Sequence, residues 1–107
     1  MTHQVIVTQR AKDDLRRYYL LAAEYAPETA ARWLDRFESS LQTLATNPER
    51  CDLAPEDDLV DQTIRQFFFG KRTGRYRVLF AIEDTQVMVL HIRRGTMDKA
   101  AEEDLAD

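Results

Sequence analysis

Arginine dominates the chemistry this chain can offer. Seven basic side chains fall between residues 63 and 95: Arg65, Lys71, Arg72, Arg75, Arg77, Arg93 and Arg94. A guanidinium is planar and donates two parallel hydrogen bonds, a geometry that phosphate and carboxylate accept. Clustered on a sheet, such residues could hold RNA and stabilise the charge that develops during phosphodiester cleavage. Cleavage also needs a proton donor and acceptor. His91, in Leu90-His91-Ile92, is the candidate base, although a histidine within a strand is more often a packed, hydrogen-bonded residue. Arg65, Arg77 and His91 are therefore the catalytic candidates if the chain cleaves RNA. The same basic surface could instead bind an acidic peptide or simply be solvated.

Other chemistries find little support. Cys51 sits among acids, which raises a thiol pKa and removes nucleophilicity. One cysteine makes no internal disulfide, and two histidines give no zinc-ligand spacing. No metal and no cofactor is expected. Gly70 and Gly74 flank a basic turn and lack the strand-to-helix setting of a phosphate-binding loop. The paired acids Asp13-Asp14, Asp57-Asp58 and Glu102-Glu103 read as solvated surface. Trp33, Phe37 and Phe67-Phe68-Phe69 are a large apolar surface for a small domain, so a partner is expected to cover part of it.

At 107 residues, with 44% hydrophobic and 32% charged side chains, the chain is one globular domain spanning 1–107. No apolar run is long enough to cross a membrane. Met1-Thr2-His3-Gln4 lacks the basic start and apolar stretch of a secretory signal, so a cytoplasmic location is expected. The net charge of −4 hides a division: residues 1–62 balance at −5, residues 63–95 at +5, and residues 96–107 at −4. A basic module is flanked by acidic ones, the last being an acidic tail from about residue 96, and an anionic partner for the basic face follows. The tail pairing with the basic strands is the intramolecular alternative.

The elements that must position these residues read as β-α-α-β-β-β. Gln4 to Thr8 is rich in β-branched residues and predicts a strand, and Thr8 can cap the helix behind it. Ala11, Leu15, Tyr18, Ala22 and Tyr25 mark an amphipathic helix over about 9–24. Pro27 suits the first turn of a second helix, striped by Ala30, Trp33, Leu34, Phe37, Leu41 and Leu44 and ending near Asn47-Pro48. Residues 48–62, with Pro48, Pro55 and clustered acids, predict an exposed loop. Strands over 64–69, 76–82 and 86–92, joined by short turns, form an antiparallel meander. The fold class is thus α+β, a helical hairpin packed on a small, mainly antiparallel sheet. Tyr76, Val78, Phe80 and Ile82 face the helices, which puts Arg77 on an open opposite face. There, Arg77→Ala should weaken binding without unfolding the protein.

In these features the chain resembles the toxin superfamily that includes ParE and RelE, small partners of labile antitoxins often called plasmid stabilisation proteins. The resemblance runs from about residue 4 to 98. It is carried by Thr8 to Leu15, Pro27 to Ala30 with Trp33 and Phe37, Leu41 to Pro48, and above all Gly74-Arg75-Tyr76-Arg77-Val78-Leu79-Phe80-Ala81-Ile82-Glu83-Asp84 and Val87 to Gly95. RelE-like members are ribosome-dependent ribonucleases, with basic residues on the central strands, an Arg just past the last strand and a Tyr near the C-terminus. ParE-like members share the fold and act on DNA gyrase. Arg77 matches the central-strand Arg, and Arg65 loosely matches an upstream basic position. After Gly95, however, the chain reads Thr96-Met97-Asp98-Lys99, and its last twelve residues hold no Tyr. The ending Arg93-Arg94-Gly95-Thr96-Met97-Asp98 looks more like ParE, with Met97 where an Arg usually precedes that Asp.

The resemblance implies a type II toxin of the ParE-like branch that inhibits DNA gyrase and is neutralised as a hetero-oligomer with a cognate antitoxin. A RelE-like ribonuclease acting on ribosome-bound mRNA, or a degenerate non-toxic member, is the alternative. Whether the chain is an enzyme depends on that choice. Residues expected to contact target or antitoxin are Trp33, Phe37, Arg65, Lys71, Arg72, Arg75, Arg77, Arg93 and Arg94.

Overall fold

A computed structural model describes residues 2–59, 61–71 and 74–95. Strand β1 (Gln4–Val7) leads into helices α1 (Gln9–Ala23) and α2 (Pro27–Gln42), followed by strands β2 (Arg65–Phe69), β3 (Tyr76–Glu83) and β4 (Gln86–Arg94). This is the order read from the sequence. Thr8 caps α1: its hydroxyl accepts from the Ala11 N–H at 3.4 Å and donates to the Val89 carbonyl at 2.8 Å. Pro27 opens α2 where no helical amide is lost. The second helix stops at Gln42, earlier than its apolar stripe suggests, and tightens into a 3-10 turn at Thr43–Ala45. Arg50 closes that end by donating to the carbonyls of Thr46 at 2.8 Å and Asn47 at 3.2 Å. No helix among the described residues is long and apolar enough to cross a membrane.

The strands form one sheet in the order β1-β4-β3-β2. Strands β2, β3 and β4 make the expected antiparallel meander, and β1 joins it parallel to β4, pairing Gln4 with Gln86 through Val7 with Val89. A bulge interrupts β3–β4: Leu79 pairs with His91 and Phe80 with Val89, leaving Leu90 extra. The extra residue breaks simple alternation. Val87, Val89 and Ile92 join the helix-side core, while Leu90 packs in a separate cluster.

The helix-side core joins Ala11, Leu15, Phe37, Leu41 and Leu44 to Val78 and Phe80. Phe37 is its hub, with ring centroids 4.5 Å from Phe69, 5.4 Å from Trp33 and 5.7 Å from Tyr76. The expectation that Phe37 contacts a partner is corrected here, because it is wholly buried. Trp33 is half-buried against Phe37 and Tyr76. Phe67 and Phe69 also pack against this core. The aromatic surface read from the sequence is therefore mostly internal.

The opposite sheet face is not open. The segment read as an exposed loop folds over it, and Ala54 and Ile64 pack with Leu79, Ala81 and Leu90 in a second core. The cover is stitched to β2 and to Ile64 just before it. Ala54 N–H donates to the Ile64 carbonyl at 2.8 Å, Gln66 N–H to Asp52 at 2.9 Å, and Ile64 N–H to the Asp57 carboxylate at 2.8 Å. Loops are usually superficial because their backbone polar groups need partners, and here β2 supplies them.

Candidate functional site

Under that cover lies Arg77. It is 4% exposed, and Glu56 beside it is 0% exposed. Nη1 donates to Glu56 Oε1 and Nη2 to Oε2, each at 2.7 Å, a bidentate pair. The sequence reading of Arg77 as an open-face anion contact is thus corrected: alternation assigns it the right face, but the 48–64 segment buries that face. Arg65 is likewise engaged, donating to the carbonyl of Cys51 at 2.7 Å and of Glu49 at 3.3 Å. Burial chiefly raises the Cys51 thiol above its ordinary value; Asp52 adds to this, while Arg50 and Arg65 oppose it.

The remaining basic residues divide. Lys71 is exposed. Arg75 lies over the Phe68 ring, 4.1 Å from its centroid. Arg72, Thr96, Met97, Asp98, Lys99 and the acidic tail lie outside the described residues. Arg93 and Arg94, at the end of β4, line a cleft of ≈ 210 Å³ together with His91 and, from α1, Arg10, Arg17 and Tyr18.

The topology explains this gathering. Strand β1 pairs with β4 only as far as Val89. Beyond it no strand among the described residues flanks the β4 edge on that side, and α1 side chains take over. The Thr8 hydroxyl donates to the Val89 carbonyl, Asp14 Oδ2 accepts from Ile92 N–H at 3.0 Å, and Tyr18 Oη accepts from Arg94 N–H at 3.2 Å. Two strand residues rise about 6.6 Å and four helical residues about 6 Å, so Asp14 and Tyr18 match alternate edge amides.

Asp14 is the centre of the site, 2% exposed. Oδ2 also lies 2.5 Å from His91 Nδ1, and Oδ1 lies 3.2 Å from Arg10 Nε and 3.8 Å from Arg17 Nη2. Burial works to raise its pKa. The His91 and Ile92 hydrogen bonds and the His91 and Arg10 charges outweigh that and hold the carboxyl below its ordinary value. His91 is a packed strand residue, 3% exposed, oriented by a carboxylate.

The sequence reading did not single out Arg10, Arg17 or Tyr18 as site residues, and its reading of Asp14, paired with Asp13, as solvated surface is corrected: Asp14 is buried where α1 meets the edge of β4. Their signal was present: Arg10, Asp14 and Arg17 stand at i, i+4 and i+7, a charged stripe beside the apolar stripe of α1. Chemically, the cleft can bind an anion. Arg65, Arg77 and His91 do not assemble into a cleaving site, since each is held by a different partner.

A second concavity lies between the helices. Leu15, Leu20 and Leu34, with Lys12, Arg16, Tyr19 and Glu38, line a groove of ≈ 480 Å³. Leu20 and Leu21 are 48% and 54% exposed, and Tyr25 is 88% exposed.

Comparison with known proteins agrees with this architecture. The family model of the ParE toxin of the type II toxin–antitoxin system, parDE, matches residues 5–99. Among solved structures, the chain is similar to a chromosomal ParDE toxin–antitoxin system from P. aeruginosa, at 17% identity and TM-score 0.72, over 89% of this chain and 98% of that one. It is also similar to a mutant of the E. coli toxin RelE in the free state, at 15% identity and TM-score 0.55, over 88% of this chain and 84% of that one. A third similarity, at 23% identity and TM-score 0.51, is to the RelBE2 toxin–antitoxin complex from Mycobacterium tuberculosis, over 89% of this chain and 100% of that one. No curated protein matches. These likenesses carry the fold.

Proposed function

The chain belongs to the ParE toxin family of type II toxin–antitoxin systems, and from that membership we propose that it inhibits DNA gyrase and is silenced by a cognate antitoxin. The observation that carries the choice of ParE-like over RelE-like action is the burial of Arg77 against Glu56. A ribonuclease on this scaffold needs a phosphate-holding cation on an open face with acid and base beside it. Here the cation is capped, Arg65 braces the covering segment, and His91 is tied to Asp14 on the α1 side. Induced expression is expected to bring DNA damage signalling and filamentous cells, with purified protein blocking gyrase supercoiling and mRNA left intact in primer extension. Cleavage at ribosomal A-site codons with gyrase unaffected would overturn the reading.

The antitoxin docks on the helical hairpin. The groove lined by Leu15, Leu20 and Leu34 offers an apolar floor with Lys12 and Arg16 at its edge, which suits an amphipathic segment with an acidic flank. Leu20→Arg places charge on this surface, and Leu20 is exposed enough for the helix to tolerate it. The variant is expected to fold normally and to bind the antitoxin encoded beside it at least tenfold more weakly by calorimetry. Unchanged affinity would move the interface elsewhere.

A further inference from the structure

We infer that the two rims of the groove between the helices carry opposite charge and thereby select one kind of partner helix, acidic along one flank and basic along the other, and fix the direction in which it lies. The inference rests on the reading that a partner docks in this groove, and goes beyond it to the partner's chemistry. The rims come from different helices. Helix α1 contributes Lys12 and Arg16, and α2 contributes Glu38. All three are exposed. Lys12 and Arg16 stand four residues apart, on successive turns of one face. The helices are joined between Ala23 and Pro27. Lys12 lies about three turns before that joint and Glu38 about three turns after it, so the cationic and anionic rims stand at one level.

These charges are unspent. Among the described residues, none of the three side chains takes part in an ion pair or a hydrogen bond. Like charges at the spacing of Lys12 and Arg16 repel within a helix, and no acid on the protein relieves them. Between the rims the floor is apolar, built from Leu15, Leu20 and Leu34. A helix laid along this floor buries an apolar ridge and presents one flank to each rim. An extended segment gains less, because the backbone groups of α1 and α2 are already bonded within the helices and offer it no ladder. Opposite rims also make docking directional. Turning the partner helix end for end exchanges its flanks over the two rims. In one direction acid meets Lys12 and Arg16 while base meets Glu38; in the other, like charges meet. Such an arrangement sets specificity more than affinity.

Three designed helical peptides test this. They share one leucine stripe and differ in flank charge: glutamate on one flank and lysine on the other, glutamate on both, or lysine on both. Each is titrated into the full-length protein and followed by anisotropy. The mixed peptide is expected to bind about fivefold more tightly than the all-glutamate peptide, and the all-lysine peptide most weakly. In Glu38→Lys the mixed and all-glutamate peptides should exchange places. A nitroxide at the N-terminus of the mixed peptide should broaden amides at one end of the groove, near either Lys12 or Leu20, and exchanging the peptide's flanks should move the broadening to the other end. Equal affinity of the mixed and all-glutamate peptides, an unchanged order in Glu38→Lys, or equal broadening at both ends overturns the charge selection while leaving docking in the groove intact. Leu20→Gln alters the floor without adding charge and should weaken all three peptides. If it weakens none, the groove is not the docking site, and the reading on which this inference rests falls with it.

Discussion

Arg77→Ala is expected to destabilise the protein by about 3–5 kcal/mol, because removing one partner of a buried ion pair strands the other charge. Glu56 is 0% exposed, and both its oxygens accept from Arg77 at 2.7 Å. Small domains are stable by about 5–15 kcal/mol in all, so this one change removes a large share. Urea denaturation would read it as a lower midpoint. The mechanism is separable from simple truncation. Replacing both partners, as Arg77→Met with Glu56→Leu, removes the stranded charge along with its partner, and should cost less than Arg77→Ala alone. A single-variant loss under about 1 kcal/mol, with no recovery in the double variant, would mean that the pair is solvated and the sheet face open. Any loss of toxicity on mutating Arg77 must therefore be measured against folded fraction before it is assigned to binding.

That reversal shows where sequence reading stops. The helix cap at Thr8, the start at Pro27 and the meander are local matters, set by one hydroxyl, one ring and short turns, and each was legible. So was the face of the sheet on which Arg77 lies. What covers that face was not. Residues 48–62 carry prolines and acids, the composition of an exposed loop, and an isolated Glu is almost never buried without a partner. Glu56 becomes a core residue where Arg77 meets it with a bidentate pair, 21 positions away. The cleft was hidden for a related reason. Asp14 and His91 are 77 residues apart, and they meet because β1 pairs with β4 and delivers α1 to its edge. The Leu90 bulge then upsets the alternation from which the direction of His91 would be inferred.

Asp14 should behave as the electrostatic keystone of that junction, and acid is the way to expose it. Its folded-state pKa lies below the ordinary value of 3.8 despite burial. A depressed carboxylate contributes stability that is present above its unfolded pKa and lost as pH falls through its folded pKa, because the unfolded chain takes up the proton first. Asp14→Asn keeps the shape but removes the negative charge that faces His91, Arg10 and Arg17. At neutral pH it is expected to cost about 1.5–3 kcal/mol, the worth of hydrogen bonds to a charged group, with Arg10 and Arg17 adding little because both are partly exposed. As pH drops below about 4 the unfolded wild-type chain begins to take up the proton, and the gap between the two proteins should close as pH falls on through the lowered folded-state pKa. Other carboxylates titrate in both proteins and cancel in the difference. Asp14→Ala also orphans the Ile92 amide, adding about 1–3 kcal/mol, and that increment should persist in acid because it does not depend on charge. Parallel stability curves for wild type and Asp14→Asn down to pH 2 would show that the carboxylate's charge contributes nothing, and that Asp14 holds the β4 edge by hydrogen bonding alone.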